Sequence, residues 1–217
     1  MAIEFNRRKT PRQQRSRATV DAILDAAARI LEREGTGAIN TNYLAEAAGV
    51  SVGSLYQYFP NKEAILAALH ERHAGEMHAL IVAKLSEPKP SLADAISSVV
   101  NAVIQAHLIQ PELHRALEAQ ESLLQKNDYQ EPMHENIRAN TQALLERHRD
   151  ELTLTNIPLA TYMLTNTVEL LVHAAIIDRP KKFSVPQLER SIVELVLRYL
   201  TARAPHEKAH RTKKYVR

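Results

Sequence analysis

The sequence predicts an all-α protein. Apolar residues recur at helical spacing along most of the 217-residue chain, and no stretch shows the alternation or the Val, Ile and Thr runs that are typical of strands. Prolines mark most of the later boundaries between the helical segments. We therefore expect helices throughout.

The composition removes several functions from consideration. The chain has no cysteine, which excludes thiol catalysis, cysteine zinc sites and redox sensing. Its length is sufficient for cores that need no metal or disulfide. No apolar run follows the first six residues, so we expect no secretory signal and a cytoplasmic location.

The charge is concentrated at the two ends of the chain. Residues 1–20 and residues 203–217 each have six basic residues against one acidic residue, so the body between them is acidic although the whole chain carries +3. This polarity suits the docking of one end on nucleic acid. We expect 1–16 to be a basic flexible arm that reaches phosphates or the minor groove, and 204–217 to be a basic tail.

A first helix is predicted over about Arg17 to Glu34, and Gly35 ends it. Its apolar stripe consists of Ile23, Leu24, Ala27, Ile30 and Leu31. A short second helix has Leu44, Ala45 and Ala48 at helical spacing. It should end before Gly49, because glycine adopts a left-handed backbone at little cost.

A third short helix should begin at about Val52. The Ser51 hydroxyl can cap its first amides, and Pro60 with Asn61 ends it. Leu55 and Phe59 fit the core. Helices joined by a short turn that contains glycine are the form in which a recognition helix enters the major groove, so the segment predicts a helix-turn-helix DNA-binding domain.

The segment AGVSVGSLYQYFPNKEAIL resembles the signature of the tetracycline-repressor (TetR) family of bacterial transcription regulators. The resemblance runs over roughly residues 17–70. It implies a DNA-binding domain over 17–62, an effector-binding and dimerisation domain over 63–203, and a homodimer on a pseudo-palindromic operator, usually a repressor that a small ligand releases. Many relatives have Lys or Arg where this chain has Val52.

The resemblance also implies which residues contact DNA. The start of the second helix should lie at phosphates, the third helix should enter the groove, and the amide of Gln57 suits an adenine edge. The expected contacts are Arg15, Arg17, Thr41, Asn42, Tyr43, Ser51, Val52, Ser54, Tyr56, Gln57, Tyr58 and Lys62.

The larger domain should contain six helices, whose starts are indicated by caps and prolines. The first is capped by Asn61, and the second begins with the S-x-x-D pattern of Ser91. The last begins with a capping box of Ser184 and Gln187. The predicted spans are about 61–85, 91–110, 111–126, 132–152, 158–177 and 186–203.

Residues 157–177 are apolar enough to suggest a membrane span. Asn166, Glu169 and His173 argue against it, because polar and ionisable groups are costly inside a bilayer. We expect this helix to be buried on two sides, by its own domain and by a partner subunit, together with the last helix. The predicted dimer interface is Leu171, Leu188, Ile192, Leu195, Val196 and Tyr199.

Polar residues on otherwise apolar helix faces are candidates for an effector pocket, although each could equally be a hydrogen-bonded core group. They are His107, Gln120, Tyr162, Asn166 and His173. We expect no cofactor and no metal site. His70, His73 and His78 could suggest metal ligands, but the segment from His70 to His73 is embedded in charge and looks like a solvated helix face. The pair Glu169 and His173 alone is common.

Two other functions stay open. A helical-bundle enzyme would need Glu118 and Glu121 near His114, or Glu169 with His173, as acid-base groups. An interaction module with a vestigial DNA-binding domain is the other. Neither alternative should show a sequence-selected DNA site.

Overall fold

The computed structural model of the chain describes residues 14–119, 130–178 and 183–202, the side chains at 14, 15, 36 and 178 excepted. Most of the predicted arm, the predicted tail, the predicted ligand residue Gln120 and the predicted helix end near residue 126 lie outside these residues.

The described residues form nine α-helices and no strand, so the all-α prediction is confirmed. Short 3-10 turns lie at Thr36–Ala38 and Arg149–Glu151, and a π-helical turn at Ala174–Asp178 continues the eighth helix. The helices are α1 (Gln14–Glu34), α2 (Thr41–Ala47), α3 (Val52–Tyr58), α4 (Lys62–Ser86), α5 (Leu92–Leu108), α6 (Pro111–Glu118), α7 (Gln130–Arg147), α8 (Ile157–His173) and α9 (Val185–Thr201).

Two apolar clusters organise these helices. The first joins α1, α2, α3 and the start of α4 as far as Leu69, and it also takes in Leu113 and Leu117 of α6. The second begins at Met77 of α4 and includes α5, α7, α8 and α9. Helix α4 therefore runs from one cluster into the other, and α6 contributes to the N-terminal cluster from the C-terminal part of the chain. The predicted boundary at residue 62 stays a prediction.

Local caps fix several helix starts as predicted. The Asn61 side chain accepts a hydrogen bond from the backbone N–H of Ala64 at 2.8 Å, and Ser91 accepts from that of Asp94 at 3.1 Å. Each cap satisfies an amide that has no partner within the first turn of its helix.

The predicted capping box at Ser184 is wrong. The Ser184 side chain makes no capping hydrogen bond; instead its carbonyl accepts from the backbone N–H of Gln187 at 3.1 Å. Pro186 at the second helical position has no N–H, and the N–H of Gln187, which a capping box would use, is taken by the Ser184 carbonyl.

Other helices end earlier than predicted. Helix α5 ends at Leu108 and turns by 76° into α6, which spans Pro111–Glu118. Helix α7 ends at Arg147, where a 3-10 turn replaces the expected last turn. Helix α1, in contrast, begins three residues before the predicted Arg17.

Among the described helices, the stretch Ile157–Ile177 is long and apolar enough to cross a membrane, and the bent pair α5 and α6 passes the same test when taken together. One side of α8, including Leu164, Val168 and Val172, is buried in the second cluster. Burial on this side is the behaviour of a core helix, as the sequence predicts for one of its two sides.

Candidate nucleic-acid interface and neighbouring sites

The turn between α2 and α3 is closed by two backbone hydrogen bonds. The N–H of Gly49 donates to the carbonyl of Glu46 at 3.0 Å, and that of Val50 donates to Ala45 at 2.9 Å. This pair is a Schellman motif, which requires the left-handed conformation that Gly49 adopts at φ 66°. Val50 packs against the first cluster, so the angle between α2 and α3 is fixed on both sides of the turn.

Ser51 caps α3. Its Oγ accepts from the backbone N–H of Ser54 at 3.0 Å and lies 2.8 Å from the Ser54 hydroxyl. The two hydroxyls are therefore paired with each other at the start of the helix. Their remaining hydrogen-bonding capacity faces solvent, since Ser51 is exposed.

Helix α3 presents a buried and an exposed side. Leu55, together with Phe59 just after the helix, is completely buried and holds it on the first cluster. Val52 and Tyr56 are more than one-third exposed, and Gln57 is exposed beside them. The predicted core and the predicted contact residues thus lie on opposite sides of one short helix.

Two tyrosine hydroxyls link neighbouring helices at this surface. The Tyr56 hydroxyl lies 3.1 Å from Thr41 Oγ1, which links α3 to the start of α2. The Tyr43 hydroxyl donates to Glu34 Oε1 at 2.9 Å. That hydrogen bond, together with the charge of Glu34, raises the pKa of Tyr43. A phosphate would therefore have to compete with Glu34 for the Tyr43 hydroxyl.

The remaining predicted contacts lie around α3. Arg17, Asn42 and Lys62 are exposed on α1, α2 and α4. Tyr58 is half-buried and packs against the first cluster, so its ring belongs partly to the core. Arg15 lies in α1, and its side chain is outside the described part of the structure.

An apolar cavity of about 50 Å³ lies between α4, α5, α7 and α8. Ligand pockets for small molecules usually hold about 300–1,000 Å³, so this cavity must widen to take one. Its polar lining groups are Thr141, Thr165 and Glu169.

None of the described residues predicted for an effector pocket lines this cavity, and their role in effector binding stays a prediction. Tyr162 is 59% exposed on the outer side of α8, where Asn166 donates its Nδ2 hydrogen to the Tyr162 carbonyl at 2.7 Å. His107 and His173 lie instead in a separate histidine cluster. Tyr162, Asn166 and His173 are spaced to lie on one side of α8, where Glu169 between them reaches the cavity and they do not.

The histidine cluster joins α4, α5, α6 and α8. His73 Nε2 lies 3.1 Å from His114 Nδ1, and His173 Nε2 lies 2.5 Å from Glu118 Oε1. His73 is 3% exposed, so the predicted solvated face is wrong for this residue. Burial, with the positive charge of neighbouring histidines, lowers the pKa of His73 to about 4. The apolar neighbours on α4 gave no sign of this, because the second half of the cluster comes from helices far along the chain.

His107 completes the cluster beside Glu169. His107 Nδ1 lies 2.9 Å from the Val103 carbonyl, and its Nε2 lies 3.2 Å from Glu169 Oε1. Burial lowers the pKa of His107, but the hydrogen bond and the charge of Glu169 outweigh it, and the net shift is upward. Of the groups suggested for an enzyme, His114, Glu118, Glu169 and His173 are brought into one place by α6 and α8, and Glu121 lies outside the described residues.

The residues predicted for the dimer surface differ in their exposure within one chain, and the interface itself stays a prediction. Ile192 and Val196 are buried in the chain's own second cluster and have no surface to offer a partner. Leu195 and Tyr199 are 49% and 41% exposed on the other side of α9. Leu171 and Leu188 are partly buried against the cluster. Large exposed apolar side chains of α8, which the sequence analysis did not assign to the interface, are Leu159, Tyr162, Met163 and Leu170.

A compact helix-turn-helix domain followed by a larger helical domain is the architecture of a helix-turn-helix DNA-binding protein. Residues 23–69 match the family model for bacterial regulatory proteins of the tetR family. Residues 91–200, half of the chain, match the model of the tetracyclin repressor-like C-terminal domain. The chain belongs to the TetR family of transcriptional regulators.

Relatives and solved structures agree with this assignment. The chain is similar to HTH-type transcriptional regulators of two Mycobacterium tuberculosis strains, 33% identical over 92 residues, a match that covers 41% of this chain and 46% of theirs. The chain therefore aligns with less than half the length of these relatives.

The fold is similar to that of a TetR-family regulator from Mesorhizobium loti, with a TM-score of 0.67 at 18% identity over 87% of this chain and 100% of that one. It is also similar to SmeT, the repressor of the Stenotrophomonas maltophilia multidrug efflux pump SmeDEF, with a TM-score of 0.62 at 20% identity over 85% and 91%. The regulator of fatty acid degradation FadR from Bacillus halodurans gives 0.63 at 19% identity over 87% and 96%.

Proposed function

We propose that this chain is a ligand-responsive repressor that binds a pseudo-palindromic DNA operator as a homodimer in the cytoplasm. The observation that carries the proposal is the exposed side of α3. A helix held by a Schellman turn and by Leu55 and Phe59 presents Val52, Tyr56 and Gln57 outward. An amphipathic helix that keeps two large apolar side chains exposed beside a polar amide is suited to a groove with thymine methyl groups and base edges.

We propose DNA contacts from the residues that surround this helix, with a division of roles. Lys62 and Arg17 supply positive charge for phosphates, and the amide of Gln57 reads a base. Thr41 and Tyr56 act as a pair, since their hydroxyls are 3.1 Å apart. With Val52 in place of a basic residue, the salt-dependent part of the affinity falls mostly to the arm.

We propose that two copies pair through the exposed sides of α8 and α9. Tyr162, Leu170, Leu195 and Tyr199 are exposed there, and several large apolar side chains exposed on neighbouring helices suit an interaction site. A two-fold dimer presents the same surface twice and matches a palindromic site.

We propose that the effector enters the apolar cavity of the second cluster. Its lining is apolar except for two hydroxyls and one carboxylate, the composition that orients a small, mostly apolar molecule. An effector releases the operator only if its affinity differs between the DNA-bound and the released dimer. We propose repression rather than activation of transcription by similarity to SmeT, which is named as a repressor.

Selection of bound sequences from random DNA tests the proposal, followed by genomic footprinting with the purified full chain. We expect an enriched site with two-fold symmetry. An enzyme, or an interaction module with a vestigial DNA-binding domain, gives no enriched sequence, and that result would contradict the proposal. Genes beside the footprint then indicate the class of effector.

A further inference from the structure

Four imidazoles and two carboxylates meet where α4, α5, α6 and α8 converge. The ring centroids of His107 and His114 are 5.2 Å apart, and those of His114 and His173 are 5.5 Å apart. His73 lies 5.3 Å from His114 on the other side. Buried polar groups normally form hydrogen bonds with one another. The hydrogen bonds within this cluster therefore decide whether it only stabilises the fold or can also bind a ligand.

The hydrogen bonds fix the state of His107. Its Nδ1 must donate to the Val103 carbonyl, because a carbonyl only accepts. In the neutral ring, Nε2 then carries a lone pair, yet it faces Glu169 Oε1 at 3.2 Å, a second acceptor. A proton on Nε2 resolves this, because an imidazolium donates from both nitrogens, to Val103 and to Glu169, so His107 is satisfied within the chain.

His114 shows the same arrangement toward Glu118. Its Nδ1 pairs with His73 Nε2, and its Nε2 faces Glu118 Oε1 at 3.4 Å. Among the described residues, His114 Nε2 is buried and has no hydrogen-bond partner. When Nδ1 donates to His73, the Nε2 lone pair points at the carboxylate, which is the arrangement of a metal-ligating histidine held by an outer hydrogen bond.

We infer that His114, Glu118 and His173 bind one divalent transition-metal ion of the zinc type. Donor atoms of the three residues lie within 4.8 Å of one another. Zinc binds imidazole nitrogen and carboxylate oxygen at about 2.0–2.2 Å, so two donors on a tetrahedral ion are about 3.3 Å apart. The separation of His114 Nε2 from Glu118 Oε1 already has this value, and His173 moves away from Glu118 by less than about 1 Å.

The donor set selects the metal. Two imidazoles and one carboxylate favour zinc, nickel or copper over magnesium and calcium, which prefer oxygen ligands only. Three protein ligands leave a fourth position for water. His73 is a positioning residue, because it acts on the ion only through the orientation of His114.

The site also lies at a mechanical junction. Helix α6 carries His114 and Glu118, and its Leu113 and Leu117 pack in the N-terminal cluster with α1. His173 ends α8, just before the π-helical turn, and Arg115 Nε donates to the Ile177 carbonyl at 3.0 Å. An ion bound here would link α6, which packs in the first cluster, to α8, which packs in the second. The inference that the ion binds does not depend on the proposed function. Only an effect of the ion on DNA affinity would depend on it.

Calorimetric titration of the full chain tests the inference without DNA. The protein carries no histidine tag and is treated with chelator before zinc chloride or magnesium chloride is added. We expect one zinc ion per chain and no heat from magnesium. His114→Gln and His173→Gln should each weaken zinc binding by more than about 10-fold, and His73→Phe by about 10- to 100-fold.

His134→Gln is the matched control, since His134 is exposed on α7, and its zinc affinity should be unchanged. Circular dichroism verifies that each variant is folded, and His173→Gln, at the half-exposed side of the cluster, suffices if His114→Gln does not fold. Absence of zinc binding, or equal affinity of His173→Gln and His134→Gln, would overturn the inference. A visible cobalt spectrum that is altered in His173→Gln but not in His134→Gln would support it.

Discussion

The amide of Gln57 is exposed on α3 and presents a donor and an acceptor side by side toward a base edge. It stands on a helix whose other side is held by Leu55 and Phe59, so its position relative to the groove is set by the domain core. The hydroxyls around it are engaged with each other or with Glu34. Base preference should therefore depend on Gln57 more than on the serines.

Gln57→Ala should relax base preference at one operator position and cost about 1–3 kcal/mol of discrimination there. Selection of bound sequences with the variant, compared with the unchanged chain, measures this. Gln142→Ala, at an exposed glutamine of α7, is the control and should leave the selected site as it was. An identical consensus for Gln57→Ala would remove this residue from base recognition.

Gly49→Ala and Gly53→Ala should have opposite effects on stability. Gly49 has φ 66°, a conformation that costs other residues about 1–2 kcal/mol, whereas Gly53 lies inside α3 and a Cβ there meets only Ser51 Oγ at 3.8 Å. We expect Gly49→Ala to lower the free energy of unfolding and Gly53→Ala to raise it by up to about 0.5–1 kcal/mol. Urea denaturation measures both, and equal destabilisation would contradict the assigned turn.

At the scale of helices, one carboxylate holds the start of α5 to the turn after α7. Glu151 accepts the backbone N–H of Leu92 with both oxygens at 3.0 Å and lies 2.8 Å from His148 Nδ1. These hydrogen bonds lower the pKa of Glu151 below its ordinary 4.5. The capping of α5 therefore comes from a distant part of the chain as well as from Ser91.

The stability that Glu151 contributes should depend on pH. Because its pKa is depressed in the folded state, the contribution is present above about pH 4.5 and is lost as the pH falls through the folded value. Glu151→Gln should therefore lower the melting temperature at pH 7 more than at pH 3. Thermal melts of both proteins at the two pH values measure this, with Glu146→Gln, exposed on α7, as the control. A pH-independent difference would contradict this role.

At the scale of the whole molecule, one side of α9 is exposed and available for dimerisation, and the other is buried in the core. Leu195 faces outward and Val196 faces the second cluster. Leu195→Glu should weaken the dimer by more than about 2 kcal/mol and leave the fold intact. Val196→Glu should unfold the chain, at a cost of about 4 kcal/mol or more. Sedimentation with circular dichroism separates these outcomes, and Ala139→Glu on α7 is the control; a persistent dimer of Leu195→Glu would place the interface elsewhere.

The basic arm should carry much of the DNA affinity. Removing residues 1–11 deletes Arg7, Arg8 and Lys9 and should weaken binding to all sequences, because these charges release counterions from the phosphates. The slope of log affinity against log salt should become shallower by about 0.9 for each phosphate that the shortened chain no longer neutralises. Mobility shifts over a salt series measure it, and an unchanged slope would exclude the arm.

The sequence by itself determined the helices, the turn at Gly49 and the family. These depend on neighbours within a few residues, such as the caps at Asn61 and Ser91 and the spacing of Leu55 and Phe59. Tertiary structure decided which side of each helix is covered. It buried Ile192 and Val196, exposed Tyr162, and brought His73, His114 and His173 together. Contacts between residues 41 and 55 positions apart have no periodic signal along the chain, because they arise only when separate helices pack.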